Sequence, residues 1–226
     1  TLVITSALDG NKPDVEATVR NAEVVFFAGG DQCDYVRYFK GTAVRTAVES
    51  VYARGGGVGG TSAGLAIQSE FVYDGCAGSA TSSQALANPY AHSISFTYDF
   101  FLWPNMDHTL AETHFVVRDR MGRLMAFLAR QVKDGLTGWA LGVAVNEETS
   151  LVVDANGIAM VHGVGPAYFV LADHVPEECQ PKKPLTYSNF KIWKATTGQT
   201  FDLANRPTTG YYLRSVQAGA ITQDPY

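Results

Sequence analysis

Residues 55–70 read GGGVGGTSAGLAIQSE, a stretch that predicts a strand turning sharply into a helix. Gly60-Thr61-Ser62-Ala63-Gly64 fits G-x-S-x-G, in which the serine lies on a strained turn and a Cβ at the glycine positions would clash. The pattern makes Ser62 a candidate nucleophile and offers the amide of Ala63 to an oxyanion. The alternative is a glycine-rich turn that binds phosphate or only packs tightly. A P-loop is excluded because no Gly-Lys-[Ser/Thr] follows.

The segments around this turn alternate between strand and helix patterns. Apolar and β-branched runs predict strands at TLVIT (1–5), 24–27, 141–145, 150–154, 158–163 and 165–173. Helical spacing of apolar residues predicts helices within 12–22, 34–40 and 43–54, and from residue 121 onward. Asn156-Gly157 is a hairpin signal, and residues 186–203 predict a second hairpin that turns at Thr197-Gly198.

This alternation predicts an α/β fold in which a mostly parallel sheet is flanked by helices in three flavodoxin-like layers. We expect a catalytic domain at residues 1–175. The segment PEECQPKKP at 176–184 reads as a linker, and residues 185–226 as a small β-rich extension packed on the core.

Composition limits the function classes. The net charge of −5 provides no basic surface for nucleic acid, and no apolar run approaches the ~20 residues of a membrane span. Cys33, Cys76 and Cys179 lack metal-site spacing, so one disulfide with a free thiol and three free thiols both stay open. The odd cysteine count, the tail and the abrupt start at Thr1 favour a secreted or periplasmic protein over a cytoplasmic one.

A serine nucleophile needs a base, and the chain has five histidines. Of these, His114 is the candidate base because the residues around it suggest a binding site. It precedes a predicted helix whose apolar stripe begins at Met121, and three arginines, Arg118, Arg120 and Arg123, lie in or just before the first turns of that helix. Arginine binds carboxylate through a two-pronged contact, so this cluster predicts a carboxylate site beside a catalytic histidine. The alternative is a solvated basic face paired with Asp119.

The base in turn needs an orienting acid at a strand end. The segment GVAVNEETSLVV (142–153) places Asn146, Glu147 and Glu148 in a turn between two predicted strands. Glu147 is the first candidate and Glu148 the second. By spacing alone, an ordinary acidic turn is the better explanation of the segment.

Taken together, these residues resemble the cyanophycinase and aspartyl dipeptidase (peptidase E) family of serine peptidases, whose fold is related to class I glutamine amidotransferases. Three motifs carry the resemblance: FFAGGDQ (26–32), GGTSAG (59–64) and HFVVRDRMGRL (114–124). GVAVNEETSLVV is a looser fourth match, and the resemblance covers roughly residues 1 to 170. Cyanophycinases typically have Asp-Gln-His where this chain has Glu112-Thr113-His114.

The resemblance implies a role for each matched residue. Ser62 would be the nucleophile, His114 the general base and Glu147 the orienting acid, and the amides of Gly30 and Ala63 would form the oxyanion hole. The expected substrate-binding residues are Asp31, Gln32, Glu112, Thr113, Arg118, Arg120 and Arg123. The family uses no metal or cofactor.

The expected activity is hydrolysis of cyanophycin to β-Asp-Arg dipeptides through an acyl-enzyme. In this picture the arginines hold substrate carboxylates and Glu112 meets a substrate guanidinium. Three alternatives stay open: an aspartyl (iso)dipeptidase acting on other Asp-containing peptides, an α/β-hydrolase esterase with His162 or His174 as its base, and a catalytically silent binding protein. We also expect a homodimer, and association with an N-terminal segment that supplies the family's glycine-rich first strand.

Overall fold

The computed structural model describes residues 1–226, which form a mixed α/β fold. The helices are α1 (Pro13–Arg20), α2 (Gln32–Phe39), α3 (Ala43–Ala53), α4 (Ala63–Ala66), α5 (Ser82–Ala87) and α6 (Met121–Lys133). The strands are β1 (Val24–Phe27), β2 (Gly57–Gly60), β3 (Val72–Tyr73), β4 (Phe96–Thr97), β5 (Thr109–Glu112), β6 (Ala140–Val145), β7 (Thr149–Val153), β8 (Ile158–Gly163), β9 (Ala167–Ala172), β10 (Tyr187–Ala195), β11 (Thr200–Asp202), β12 (Tyr212–Gln217) and β13 (Ala220–Ile221). A short 3₁₀ helix (Asp9–Asn11) precedes α1.

The strands form four sheets. The largest has six strands in the order β13-β12-β10-β9-β6-β5, and a three-stranded sheet has the order β11-β8-β7. Two further sheets pair β1 with β2 and β3 with β4. Because β10, β12 and β13 lie beyond residue 185, the C-terminal residues extend the same sheet that holds β5, β6 and β9. The domain division at 176–184 stays a prediction.

The prediction of a mostly parallel, flavodoxin-like sheet is not confirmed, because most strand pairs are antiparallel. Parallel pairing occurs only between β1 and β2 and between β5 and β6. In these two pairs the chain returns through helices, α2 with α3 in the first case and α6 in the second. From β6 to β9 the connections are short loops: the loop between β7 and β8 forms an antiparallel hairpin, and β9 returns beside β6 antiparallel to it.

The six-stranded sheet is covered on both faces. Helix α6 buries nearly its whole length against one face, where Gly142 of β6 leaves room for the side chain of Leu124. The three-stranded sheet covers the other face, and its Phe201 stacks on Phe169 of β9 with ring centroids 3.9 Å apart. These two layers fix β5 and β6, whose carboxyl ends lead to the candidate site.

A third apolar cluster packs α1, α2 and α3 against β1, with Phe27 and Val48 among its buried members. The opposite face of β1 is open, and Val24 and Phe26 are about two-thirds exposed there. The large glycine content of β2 leaves this face without side chains from its neighbour.

Two local predictions were wrong. TLVIT (1–5) forms no strand and lies largely exposed, since no neighbouring strand pairs with it and Thr5 instead bonds the carboxylate of Asp9. The segment 186–203 does turn near Gly198, but its two strands separate: β10 joins the six-stranded sheet and β11 joins β8. The predicted strand and hairpin were read from residue pattern, which does not identify the pairing partner.

Candidate active site

The turn between β2 and α4 presents Ser62 in a backbone conformation that side-chain-bearing residues rarely adopt. Its φ and ψ angles are 52° and −118°, a strained region that recurs at functional sites. Glycine is required for steric reasons at the two flanking positions, Gly60 and Gly64. A Cβ at Gly60 would lie 2.2 Å from the carbonyl oxygen of Gly64, and a Cβ at Gly64 would lie 2.3 Å from that of Phe27.

Ser62, His114 and Glu147 form a continuous chain of contacts. Oγ of Ser62 lies 2.8 Å from Nε2 of His114, and Nδ1 of the same ring lies 2.7 Å from Oε1 of Glu147. Both separations are hydrogen-bond distances. Serine, imidazole and carboxylate in this order are the arrangement in which a base takes the hydroxyl proton and an acid orients the base.

The sheet brings the histidine and the acid together. His114 follows β5 and Glu147 follows β6, and these parallel strands end at the same edge. The backbone amide of Val116 donates to the side-chain oxygen of Asn146 at 2.8 Å, which ties the two loops to each other. Glu148 makes no hydrogen bond to His114; its carbonyl accepts from Val164 instead. Of the two acids, Glu147 is the one in contact with the ring.

Two backbone amides lie beside the serine. Ala63 is the first residue of α4 and so has no acceptor within the helix. Gly30 follows Gly29, where an added Cβ would lie only 3.4 Å from Cβ of Ser62, so this loop passes close to the serine.

A small cavity of about 80 Å³ surrounds Ser62. Gly30, Gln32, Ala63, Glu112, Thr113, Arg118, Arg120 and Arg123, all expected from the sequence, line it together with Ala66, Tyr73 and Ala111. Tyr73 was missed by the sequence reasoning, since it lies in a two-residue strand without a recognisable motif. Burial raises the pKa of its hydroxyl, which accepts from the amide of Ala80.

The three arginines differ in what they contact. Arg123 is buried and donates from Nε and Nη2 to the two carboxylate oxygens of Glu112, at 2.7 and 2.6 Å. Burial opposes its charge, but the attraction and hydrogen bonds of Glu112 outweigh burial and raise its pKa. Arg120 donates to Glu112 at 3.1 Å and to the carbonyl of Thr113 at 2.8 Å. Burial lowers the pKa of Arg120, against the attraction of Glu112.

Arg118 is exposed at the cavity, and its guanidinium has no hydrogen-bond or ion-pair partner in the protein. Arg120 makes its protein contacts through Nη1 alone, so Arg118 differs from the other two in having no protein partner at all. Glu112 has the opposite status: as a buried carboxylate that accepts from two arginines, it has little capacity left for a substrate guanidinium.

The start of α2, which carries Gln32, is joined by a disulfide to the segment after β3. Cys33 is bonded to Cys76, which decides the open cysteine question, and Cys179 is free and buried. The side-chain amide of Gln32 lies 3.4 Å from the carbonyl oxygen of Tyr73, in the strand before Cys76. Asp31 does not line the cavity. Its carboxylate caps α2 by accepting from the amide of Cys33 at 2.9 Å.

The remaining histidines lie away from the serine. His174 contacts Asp173 and Tyr187, and His108 lies near Glu70, while neither His162 nor His92 bonds to Ser62.

No group of three or more His, Cys, Asp or Glu side chains is arranged to hold a metal ion. The helices include none with the length and apolar character required to cross a bilayer.

Comparison with known proteins gives a fold but no family. No protein-family model matches the chain, and no curated protein matches it. Among solved structures it is similar to a peptidase from an acI-B1 Actinobacterium, with a TM-score of 0.58 and 15% sequence identity. The match covers 87% of this chain and 66% of that one, so the chain spans about two-thirds of that peptidase's length. The chain therefore shares its fold with that peptidase.

Proposed function

We propose that this chain is a serine-type peptidase in which Ser62 is the nucleophile, His114 the general base and Glu147 the acid that orients the base. The observation that carries the proposal is the unbroken contact chain from the Ser62 hydroxyl through the imidazole to the Glu147 carboxylate. The strained turn and the similarity to a peptidase fold support it independently.

The proposed reaction follows from these positions. The Ser62 hydroxyl donates its proton to Nε2 of His114 as Oγ attacks the scissile carbonyl carbon. The tetrahedral oxyanion accepts hydrogen bonds from the amides of Gly30 and Ala63. His114 then gives the proton to the leaving amine, an acyl-enzyme on Ser62 remains, and water activated by the same imidazole releases the acid. Glu147 accepts from Nδ1–H and stabilises the imidazolium.

The substrate we propose is cyanophycin, a polyaspartate chain whose side-chain carboxyls carry arginine, with β-Asp-Arg dipeptides as products. This choice rests on the motif resemblance and on Arg118, an unpaired cation at the edge of the cavity that suits a substrate carboxylate. Because Glu112 is already paired with Arg120 and Arg123, we assign it to holding these arginines in place instead of to a substrate guanidinium.

The esterase alternative loses support because the order Ser, acid, His along the chain would need His162 or His174 as base, and neither contacts Ser62. An aspartyl (iso)dipeptidase stays the second candidate. Free Arg118 at a cavity of only about 80 Å³ suits a small acidic peptide as well as a polymer end.

The first experiment tests the chemistry. A fluorophosphonate should modify Ser62 in the folded wild-type protein and should fail with Ser62→Ala. His114→Ala should lower kcat by at least ~10³-fold, whereas His174→Ala should retain activity as the matched control. Unchanged fluorophosphonate labelling of Ser62 in His114→Ala would contradict the proposed base. Loss of activity in His174→Ala would contradict it as well.

The second experiment tests the substrate. Mass spectrometry of a cyanophycin digest should detect β-Asp-Arg dipeptide with wild type and none with Ser62→Ala. If the polymer stays intact while short aspartyl or isoaspartyl peptides are cleaved, the dipeptidase candidate replaces cyanophycin. If Ser62 is labelled but none of these substrates is cleaved, the peptidase assignment itself is rejected.

A further inference from the structure

A second and much larger cleft, of about 780 Å³, lies at the opposite end of β5 from Ser62. His108, just before β5, lines this cleft, whereas Glu112 at the other end of the strand lines the cavity around Ser62. Four strand residues span about 13 Å. None of the residues that line the cavity around Ser62 also lines the cleft, so the two are separate sites.

The cleft has aromatic walls built by both the core sheet and the C-terminal segment. Trp139, Trp193 and Tyr211 line it, which places two of the three tryptophans of the chain there. Trp193 and Tyr211 meet edge to face with ring centroids 5.3 Å apart. The indole N–H of Trp193 donates to the carbonyl of Thr209 at 2.7 Å, which fixes the segment that forms one wall.

Arg206 is the unusual residue of this cleft. Its guanidinium carbon lies 3.3 Å from the ring centroid of Trp139, so the group is stacked on the indole. No protein oxygen accepts a hydrogen bond from it and no carboxylate pairs with it. The other cation of the cleft, Lys191, is paired with Asp173 at 2.7 Å. Stacking covers the face of a guanidinium and leaves its edge donors for a planar acceptor such as carboxylate.

The other polar groups of the cleft narrow the ligand class. Asp107 and Asp173 accompany the two basic side chains, so the formal charges balance and a single negative charge is easier to accommodate than a phosphate dianion. Side-chain amides of Asn105 and Asn205 also line the cleft and suit the polar groups of a peptide backbone.

We propose that this cleft, the Arg206 cleft, is a non-catalytic binding site for carboxylate-bearing peptides. Arg206 donates a two-pronged hydrogen bond to a side-chain carboxylate, and the aromatic walls cover the adjoining chain. The inference goes beyond the proposed function and does not depend on it, because it concerns binding at residues that take no part in the hydrolysis.

The test uses the full chain with Ser62→Ala, which prevents turnover. The acetylated and amidated peptide Asn-Asp-Asn, which carries one carboxylate, is titrated by isothermal calorimetry and by tryptophan fluorescence, with the equivalent tri-asparagine peptide as the uncharged control. We expect saturable binding and a fluorescence change with Asn-Asp-Asn alone. Arg206→Gln should weaken binding by at least ~10-fold. Arg214→Gln, which alters an arginine stacked on Tyr212 outside the cleft, should leave binding unchanged.

Several results would overturn the proposal. These are equal binding of tri-asparagine, no effect of Arg206→Gln in a variant with unchanged circular dichroism, or displacement of the peptide by inorganic phosphate at similar concentration. Loss of binding in Arg118→Gln but not in Arg206→Gln would move the site to the cavity around Ser62. Separately, Arg206→Gln in the otherwise wild-type chain should cleave a short aspartyl peptide at the normal rate, so a failed peptidase assignment and a failed cleft proposal are distinguishable.

Discussion

Replacing Arg118 and Arg123 one at a time should separate substrate binding from stability. Arg123 is 4% exposed and donates two hydrogen bonds to Glu112, which is 3% exposed. Arg123→Gln leaves that buried carboxylate with Arg120 as its remaining cation. Breaking a buried pair costs about 3–5 kcal/mol, and we expect the lower end because Arg120 stays. At about 2–4 °C per kcal/mol for a chain of this size, Tm should fall by roughly 6–12 °C.

Arg118→Gln should behave in the opposite way. The guanidinium of Arg118 is exposed and pairs with no protein group, so the free energy of unfolding should change by less than about 0.5 kcal/mol. A charged hydrogen bond to a substrate carboxylate is worth about 1.5–3 kcal/mol, which corresponds to a loss of about 10–150-fold in kcat/KM. Arg118→Lys should recover part of that loss.

The assays are thermal unfolding followed by circular dichroism, and steady-state cleavage of cyanophycin or an aspartyl peptide. The reasoning is refuted if Arg118→Gln destabilises the fold while leaving kcat/KM intact, or if Arg123→Gln unfolds at the wild-type temperature. The first result would make Arg118 a structural residue, and the second would mean that the buried pair with Glu112 is not formed in solution.

Three further predictions concern the framework of the site. Reducing Cys33–Cys76, which closes a loop of 43 residues, should lower the free energy of unfolding by about 4 kcal/mol in urea denaturation; an unchanged midpoint would contradict the bond. Gly64→Ala should destabilise the turn strongly, because its Cβ would lie 2.3 Å from the carbonyl oxygen of Phe27, and wild-type stability would disprove this packing. Burial raises the pKa of Cys179 to about 12, so iodoacetamide at pH 8 should label it only after denaturation, and rapid labelling of the native protein would contradict its burial.

The turn at Ser62 was predictable because part of its steric requirement is local. A Cβ at Gly60 would meet the carbonyl of Gly64 within the same five residues, whereas Gly64 is required by the carbonyl of Phe27 in the neighbouring strand β1. The contact of Ser62 with His114 spans 52 residues and has no local signal. The arginines beside His114 and the acidic turn at Glu147 had already singled out both residues, and the motif resemblance added their roles, but a residue pattern does not report which strand ends lie at the same edge of a sheet.

The sheet was predicted less well. Strands that alternate with helices pair in parallel, and this expectation, which holds for β1 and β2, was extended to the rest of the chain. The strands β1 and β2 are separated by two helices and pair in parallel, as the alternation of elements predicts. After β6, connections of a few residues replace the helices, and the Asn156-Gly157 turn already required an antiparallel pair. Connection length was therefore the informative quantity, and it argued against a mostly parallel sheet beyond residue 145.

The different contacts of the three arginines could have been predicted from their spacing in the sequence, which the grouping of all three as one carboxylate site did not use. Helix α6 begins at Met121, so Arg120 and Arg123 are three residues apart at its start and lie on the same face. Both reach Glu112 at the end of β5. Arg118 precedes the helix and is not bound by that spacing. The cluster at this helix start thus divides into two arginines that contact one buried acid and a third, Arg118, that pairs with no protein group and is the most available to a substrate carboxylate.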